Sequence, residues 1–377
     1  MSNYDVIVAG IGGMGAATCW QLARRGQRVL GIERFDIPNT YGSSHGVNRI
    51  IRLAYFEHPS YVPILRRAYA LWREAEQLAG EQLLYVTGYL DVGPPGSAII
   101  DGTLESCREH GIHHEVLAAA DVQRRFPAYR LPSAFRAVYQ QDGGFVVSER
   151  AIVAHVRMAQ ELGAEVHARE AIHGFEPTAS GGVRVTTDRG RYEAGRMILS
   201  TGAWIGEHVP LLKTKAIPER QVLGWFQPKS PELFRLGRFP TSNLKSDLGH
   251  FYQFPVWHVP GFKIGLYHHL GEQGSADSLS REPTRQDEDA LRAGVRAFFP
   301  EADGPLMGLR SCLFTNTPDE HFVIDRLPDA PQIIVASPCS GHGYKFASAV
   351  GEILADLAVD AAPSCDLSLF SLARLAS

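Results

Sequence analysis

Cysteine is scarce in this chain, and its scarcity removes whole classes of protein. Five residues, Cys19, Cys107, Cys312, Cys339 and Cys365, are spread over 377 positions with no CxxC pair. An odd, scattered set excludes a disulfide framework and a zinc-finger spacing, and predicts a reducing, cytoplasmic setting. No apolar run approaches the length of a membrane span. The opening MSNYDVIVAG passes directly into a strand pattern, with neither a basic leader nor a cleavage signal. Charge of one sign is missing too: 37 Lys and Arg face 41 Asp and Glu, for a net charge of −4. That leaves no basic footprint for nucleic acid. Fixed-period repeats and low-complexity stretches are absent. So are HExxH, a GxSxG elbow and a P-loop, which leaves hydrolase and kinase readings unsupported. His250, His258, His268 and His269 lie close in sequence but lack a ligand arrangement, so no metal is expected.

What is present begins with hydrophobic content of 45% and charged content of 21%, ordinary for a globular protein long enough for two domains. Tyr4 to Ala9, YDVIVA, reads as a buried parallel strand. GIGGMG follows, then a helical stretch over Ala16–Arg24 closed by Gly26, then a second strand, RVLGIE, ending at Glu33. This is Gly10-x-Gly12-x-x-Gly15 in strand–turn–helix context. The first glycine allows the tight turn, the second admits a pyrophosphate to backbone N–H groups, and the third lets helix and strand pack closely. Glu33 stands where a carboxylate accepts from adenosine ribose hydroxyls, which disfavours NADP. The unit alone leaves NAD and FAD both open.

Nucleotide-fold patterns return later. Residues 148–163 read as an amphipathic helix, followed by strands in AEVHA, GVRVTTD and GRYEAGRMILSTGAW up to Gly202. QIIVA is another buried strand, then PCSGHGYK, then a helix from about Phe346 to Val359. The intervening segments are rich in aromatics and alternating strands such as FYQFPVW and FKIGLY. The expected fold is therefore α/β: a discontinuous Rossmann-like domain (1–79, 145–215 and 319–377) with an inserted mixed-sheet substrate domain (80–144 and 216–318). In SGHGYK, Gly341 and Gly343 permit close backbone approach to a ligand. In GSSHGVNRIIRLAY, Gly42, Ser43, Ser44 and Gly46 form a polar loop able to wrap a cofactor. Arg49 and Arg52 would share a face on a helix and point opposite ways in a strand.

Taken together, YDVIVAGIGGMGAA, GSSHGVNRIIRLAY, STGAW, SCLFTNTPDEHFVID and SGHGYKF resemble the monomeric sarcosine oxidase and N-methyltryptophan oxidase family of flavoproteins. The resemblance runs from residue 4 to about 370. It implies FAD, held covalently through a thioether at Cys312. It places Arg49 near the flavin, and Arg52 and Lys345 as two halves of a clamp on the substrate carboxylate, with Tyr252 also at the substrate. Lys263 matches the lysine at which that family reduces oxygen to hydrogen peroxide. The implied activity is oxidation of a small secondary amine, an N-methyl or cyclic amino acid, to an imine, by a monomer without nucleic acid or membrane partners. A dehydrogenase passing electrons to a carrier, or a flavin-binding subunit of a larger complex, are the alternatives; Lys263 argues against the first, and Cys312, Arg52, Lys263 and Lys345 in one chain argue against the second.

The chain departs from that family in three places. The usual Lys-x-Gly-x-His reads here as Lys263-Ile-Gly-Leu-Tyr267-His268-His269. Strict alternation puts Tyr267 on the Lys263 face; a one-residue bulge would restore His268 instead, and the longer spacing to the next glycine favours the bulge. Phe314 stands where a tyrosine is common, and Asn48 where other side chains occur.

Overall fold

β1 (Tyr4–Ala9), α1 (Gly13–Ala23) and β2 (Val29–Ile32) form the first βαβ unit of a computed structural model that describes residues 4–375. β1 is the middle of a parallel set. β2 and then Glu165–His167 lie on one side of it, and Arg191–Leu199 and then Ala330–Ser337 on the other. Val6 to Ala9 are fully buried, as a strand covered on both faces must be. An antiparallel hairpin, Ile172–Pro177 with Val183–Thr187, pairs with the first half of the Arg191–Leu199 strand, and Val323–Leu327 closes the far edge. α1 opens at Gly13, three residues before its expected start, because the glycines are themselves helical. It packs tightly on the helix Ala347–Ala358: an added Cβ on Gly351 would fall 2.7 Å from Ala17. The helix expected over 148–163 spans Ser148–Glu161.

The second eight-stranded sheet is mixed. Its spatial order is Leu306–Asn316, Ile217–Phe226, Phe262–Leu266, Gly249–Phe254, Thr241–Ser246, Tyr89–Gly93, Arg136–Gln140 and Glu115–Ala118. Period-two alternation gives it two unlike faces. Val222, Phe262, Ile264, Leu266, Phe251, Leu244, Leu90 and Val92 face one way and pack against Leu291, Val295 and Phe298 of the helix Arg285–Phe298. That helix is fixed at its start by a reciprocal capping box between Thr284 and Asp287. Gly294 brings it close to the sheet, with an added Cβ only 2.5 Å from the Phe251 ring. The opposite face carries Cys312, Phe314, Lys263, Gly265, Tyr252, Asn243 and Asp91, as the strand registers require. A small three-stranded sheet, Arg49–Ile51, Gly144–Val146 and Leu84–Val86, packs over it, its Ile50 and Phe145 clustering with Tyr89 and Tyr252 of the larger sheet. No helix among the described residues is long and apolar enough to cross a membrane.

Candidate active site

The backbone of the parallel sheet outlines a cavity of about 460 Å³, lined among others by Gly10, Gly12, Glu33, Ser43, Ser44, Arg49, Gly202, Gly341 and Gly343. Gly10 has φ +85° and lies against the Ser200 backbone, so a Cβ there would fall 2.6 Å from the Ser200 oxygen. Gly15 stands behind the cavity wall; its missing Cβ would be 1.9 Å from the Gly10 oxygen, the close helix–strand contact its spacing requires. The N-cap of α1 is Gly12 and its first turn holds no acidic residue; Ser44 Oγ accepts from the Gly13 N–H at 3.2 Å, and the positive dipole end of the helix lies at the cavity that Gly12, Gly13 and Ser44 line. Glu33 accepts from the Ile11 N–H at 2.8 Å and from the Phe35 N–H at 2.9 Å, and burial pushes its carboxyl up. Glycine walls, a helix start with glycine at its N-cap and a carboxylate at the end of β2 fit the pyrophosphate and ribose of a dinucleotide.

The GSSHGVN loop crosses from this cavity to the second sheet. Glu149 pins it, accepting from the Gly46 N–H at 2.7 Å and the Val47 N–H at 3.0 Å. Ser43 donates to the Leu313 carbonyl, and Arg49 donates to the carbonyls of Ser43 and Asn48. Below the loop, Lys263 is 2% exposed. Its Nζ donates to the carbonyl oxygens of Gly46 and Asn48 and to Asn48 Oδ1 at 2.7–2.8 Å, and lies 4.1 Å from the centre of the Phe254 ring. All three of these acceptors are uncharged, and burial holds the ammonium well below the usual lysine range. Cys312 is buried on the same face. Burial pushes its thiol up, while the positive charges of Arg49, Lys263 and Arg281 pull against that shift.

Gly265 has a local purpose. Tyr252 lies flat over it, where an added Cβ would be 2.0 Å from Tyr252 Cζ. Tyr267 continues the same face, its N–H bonded to the His250 carbonyl in unbroken register with the ladder. The expected bulge is absent. The extra residue sits beyond the strand end, where His268 (φ +57°) and His269 (φ +25°) make a left-handed turn. His268 therefore does not take the position four residues after Lys263; Tyr267 does. The His268 ring is half-exposed and tied to Glu219 at 3.2 Å and Glu320 at 3.4 Å, which raises its pKa to about 10.

Arg52 follows the Arg49–Ile51 strand and turns away from Arg49, as an extended segment dictates. It is 1% exposed, bonded to both oxygens of Glu57 at 2.6–2.7 Å and to the Ala54 carbonyl, with its Nε buried and unpartnered. The guanidinium stacks 4.1 Å from the Tyr55 ring centre and 4.4 Å from that of Phe56. Lys345 Nζ donates to the His342 carbonyl at 2.6 Å and to the Tyr55 hydroxyl at 3.3 Å, and burial lowers it to about 7. Arg52 and Lys345 thus meet at Tyr55. Sequence reasoning overlooked Tyr55, Glu57 and Glu149; the signal for Glu57 was an acid five residues after a buried arginine.

Residues 5–357 match the family described as FAD dependent oxidoreductase. The monomeric sarcosine oxidase of Streptomyces avermitilis is 38% identical, over 100% of this chain and 98% of its own length. The N-methyl-L-tryptophan oxidase of Salmonella arizonae is 34% identical, over 99% of each. Among solved structures, NikD, an unusual amino acid oxidase essential for nikkomycin biosynthesis, superposes with a TM-score of 0.85 at 26% identity over 98% of both chains. A glycine oxidase from Geobacillus kaustophilus shares the fold over 99% of both chains, with a TM-score of 0.83 at 20% identity.

Proposed function

Because the chain belongs to the family of FAD-dependent oxidoreductases, we propose that it oxidises a small secondary amino acid, N-methyl or cyclic, with oxygen as acceptor. The observation that supports this best is Lys263, whose three donated hydrogen bonds to neutral oxygens use all three protons of an ammonium, on the face that also carries Cys312. Such a group stabilises negative charge developing on oxygen without reorganising at the moment of reaction. It gives a dehydrogenase nothing, which favours the oxidase.

The cavity, the glycine walls and Glu33 would hold FAD, and Cys312 would anchor it as a thioether. Burial raises the Cys312 thiol, and the charges of Arg49, Lys263 and Arg281 oppose that rise, towards the thiolate that such a bond needs. Bound FAD would supply the two-electron acceptor for the amine and the donor for oxygen. Arg52 and Lys345 would fix the substrate carboxylate; the unpartnered Nε of Arg52 offers a donor edge that Glu57 leaves free. Tyr252 and Tyr267 would border the amine, with Tyr267 where the related oxidases carry histidine. The amine must lose its extra proton first, since the lone pair assists loss of two electrons from the adjacent C–H. The amine gives up two electrons and two protons to become an imine, and water cleaves the imine to a primary amine and an aldehyde. Oxygen takes up two electrons and two protons as hydrogen peroxide. The same reading keeps the chain a cytoplasmic monomer, with the discontinuous domain division stated above.

The test is incubation of the purified protein with sarcosine, N-methylalanine and pipecolate while following oxygen, peroxide and aldehyde. Peroxide and formaldehyde in equal amounts from an N-methyl substrate is the expected result. Dye reduction without peroxide would make the protein a dehydrogenase, and inertness towards all three would remove the substrate class.

A further inference from the structure

On the polar face of the second sheet, beyond Tyr252, two side chains present buried polar atoms with nothing to bond. Asn243 is 1% exposed, and neither its Oδ1 nor its Nδ2 has a partner among the described residues. Strand register sets it between Tyr252 and Asp91. Tyr252 does not cover it, because that ring lies over Gly265 on the other side. Asp91 does not serve it, because its two oxygens accept from the Tyr89 hydroxyl at 2.6 Å and from Thr103 Oγ1 at 2.8 Å. His250, opposite Lys245 and so diagonal to Asn243, has its Nε2 buried and unpartnered. Its ring stacks on Tyr267 at 4.4 Å and lies 5.7 Å from Phe56, which carries the Arg52 guanidinium. The orphaned amide and imidazole therefore lie next to the proposed carboxylate clamp.

A buried primary amide with every group unmet is less stable than a leucine or methionine of similar size, so its presence calls for a partner. Charge narrows what that partner is. An anion would face Asp91 and Glu57, and a cation would face Arg52 and Lys245. We propose that Asn243 and His250 read a neutral group able to donate and accept hydrogen bonds, a hydroxyl or carboxamide, on the α-carbon substituent of the substrate. Burial pushes His250 down to about 3, so its ring is neutral and suited to such a group. The inference rests on the amine-oxidase reading for the identity of the substrate, but not for the existence of the polar subsite.

Two pairs of ligands test it on the holoenzyme. Calorimetric titration compares glycerate with lactate, which differ by one hydroxyl; turnover compares N-methylserine with N-methylalanine. We expect glycerate to bind at least about tenfold tighter and N-methylserine to have the higher kcat/KM, since a site built to bond a hydroxyl rejects the analogue lacking it. Asn243→Leu should bring both ratios to about one, and Asn243→Ser, which keeps a donor and an acceptor, should retain part of each. Equal affinities in the wild type would overturn the inference and assign the orphans to buried water. Ratios unchanged in Asn243→Leu would overturn the role of Asn243. If glycerate is preferred while neither N-methyl amino acid turns over, the subsite stands and the amine-oxidase reading fails.

Discussion

The two eight-stranded sheets would serve the proposed site by different means. The parallel sheet contributes mainly backbone, glycines at strand ends and a helix start with glycine at its N-cap, together with one carboxylate at Glu33. The mixed sheet contributes side chains from one face, with Lys263, Cys312, Tyr252 and Tyr267 brought together by register across strands. Backbone recognition tolerates no added atom but asks little of charge. Side-chain recognition depends on burial and on what each group lacks as a partner. Damage to the first should abolish the site, and damage to the second should dissect it.

The largest effect is expected at Gly15. Gly15→Val would drive a side chain into the Gly10 carbonyl, 1.9 Å from an ideal Cβ, and should give protein that is insoluble or retains no flavin by absorbance. A well-folded variant with full flavin content would break the contrast between the sheets. On the mixed sheet, Lys263→Met should leave flavin content intact yet slow reoxidation by oxygen about a hundredfold or more, with reduction by substrate far less affected in stopped flow. Equal slowing of both half-reactions would remove Lys263 from oxygen chemistry.

Lys345 sharpens the comparison through pH. Its ammonium is lowered to about 7, so it is charged below that value and neutral above. Affinity for a carboxylate ligand should be flat below pH 7 and fall by up to about tenfold per pH unit above it, with proton uptake on binding. A flat profile to about pH 9 would show that Arg52 alone holds the carboxylate. A last effect concerns stability on the parallel-sheet side and leaves the proposed site untouched. His155, stacked on Trp20 and tilted against Trp72, is neutral in the fold because burial lowers it to about 4. The unfolded chain binds its proton near pH 6.5, so stability is full above that pH and declines towards pH 4, by up to about 3 kcal/mol. His155→Leu should flatten that part of a urea-midpoint profile, although His45 and His342, also lowered to about 4, keep some slope.

What could be read from the sequence follows the same division. The βαβ unit and its glycines are local, so composition and spacing identified them without help. Gly202, Gly341 and Gly343 were legible for the same reason, as strand-to-helix turns. Residues of the mixed sheet are different. Cys312 lies opposite Gln221, and Gly265 opposite Tyr252, pairings that no local pattern encodes; only the likeness to amine-oxidising flavoproteins singled those residues out. Asn243 was invisible, one polar residue in TSNLKS, until register placed it on the inner face. The choice between Tyr267 and His268 failed because glycine spacing measures strand plus turn together. The extra residue belongs to the turn, where a left-handed backbone absorbs it and leaves the ladder in register.

The central claim is that one FAD molecule spans both sheets, cradled by the backbone of the first and bonded to a side chain of the second. The most direct measurement is acid precipitation of the purified yellow protein, with flavin spectra recorded for pellet and supernatant, alongside Cys312→Ala. The account predicts flavin in the wild-type pellet and in the supernatant of the variant. Flavin released from the wild type, or retained in the pellet of Cys312→Ala, would contradict it.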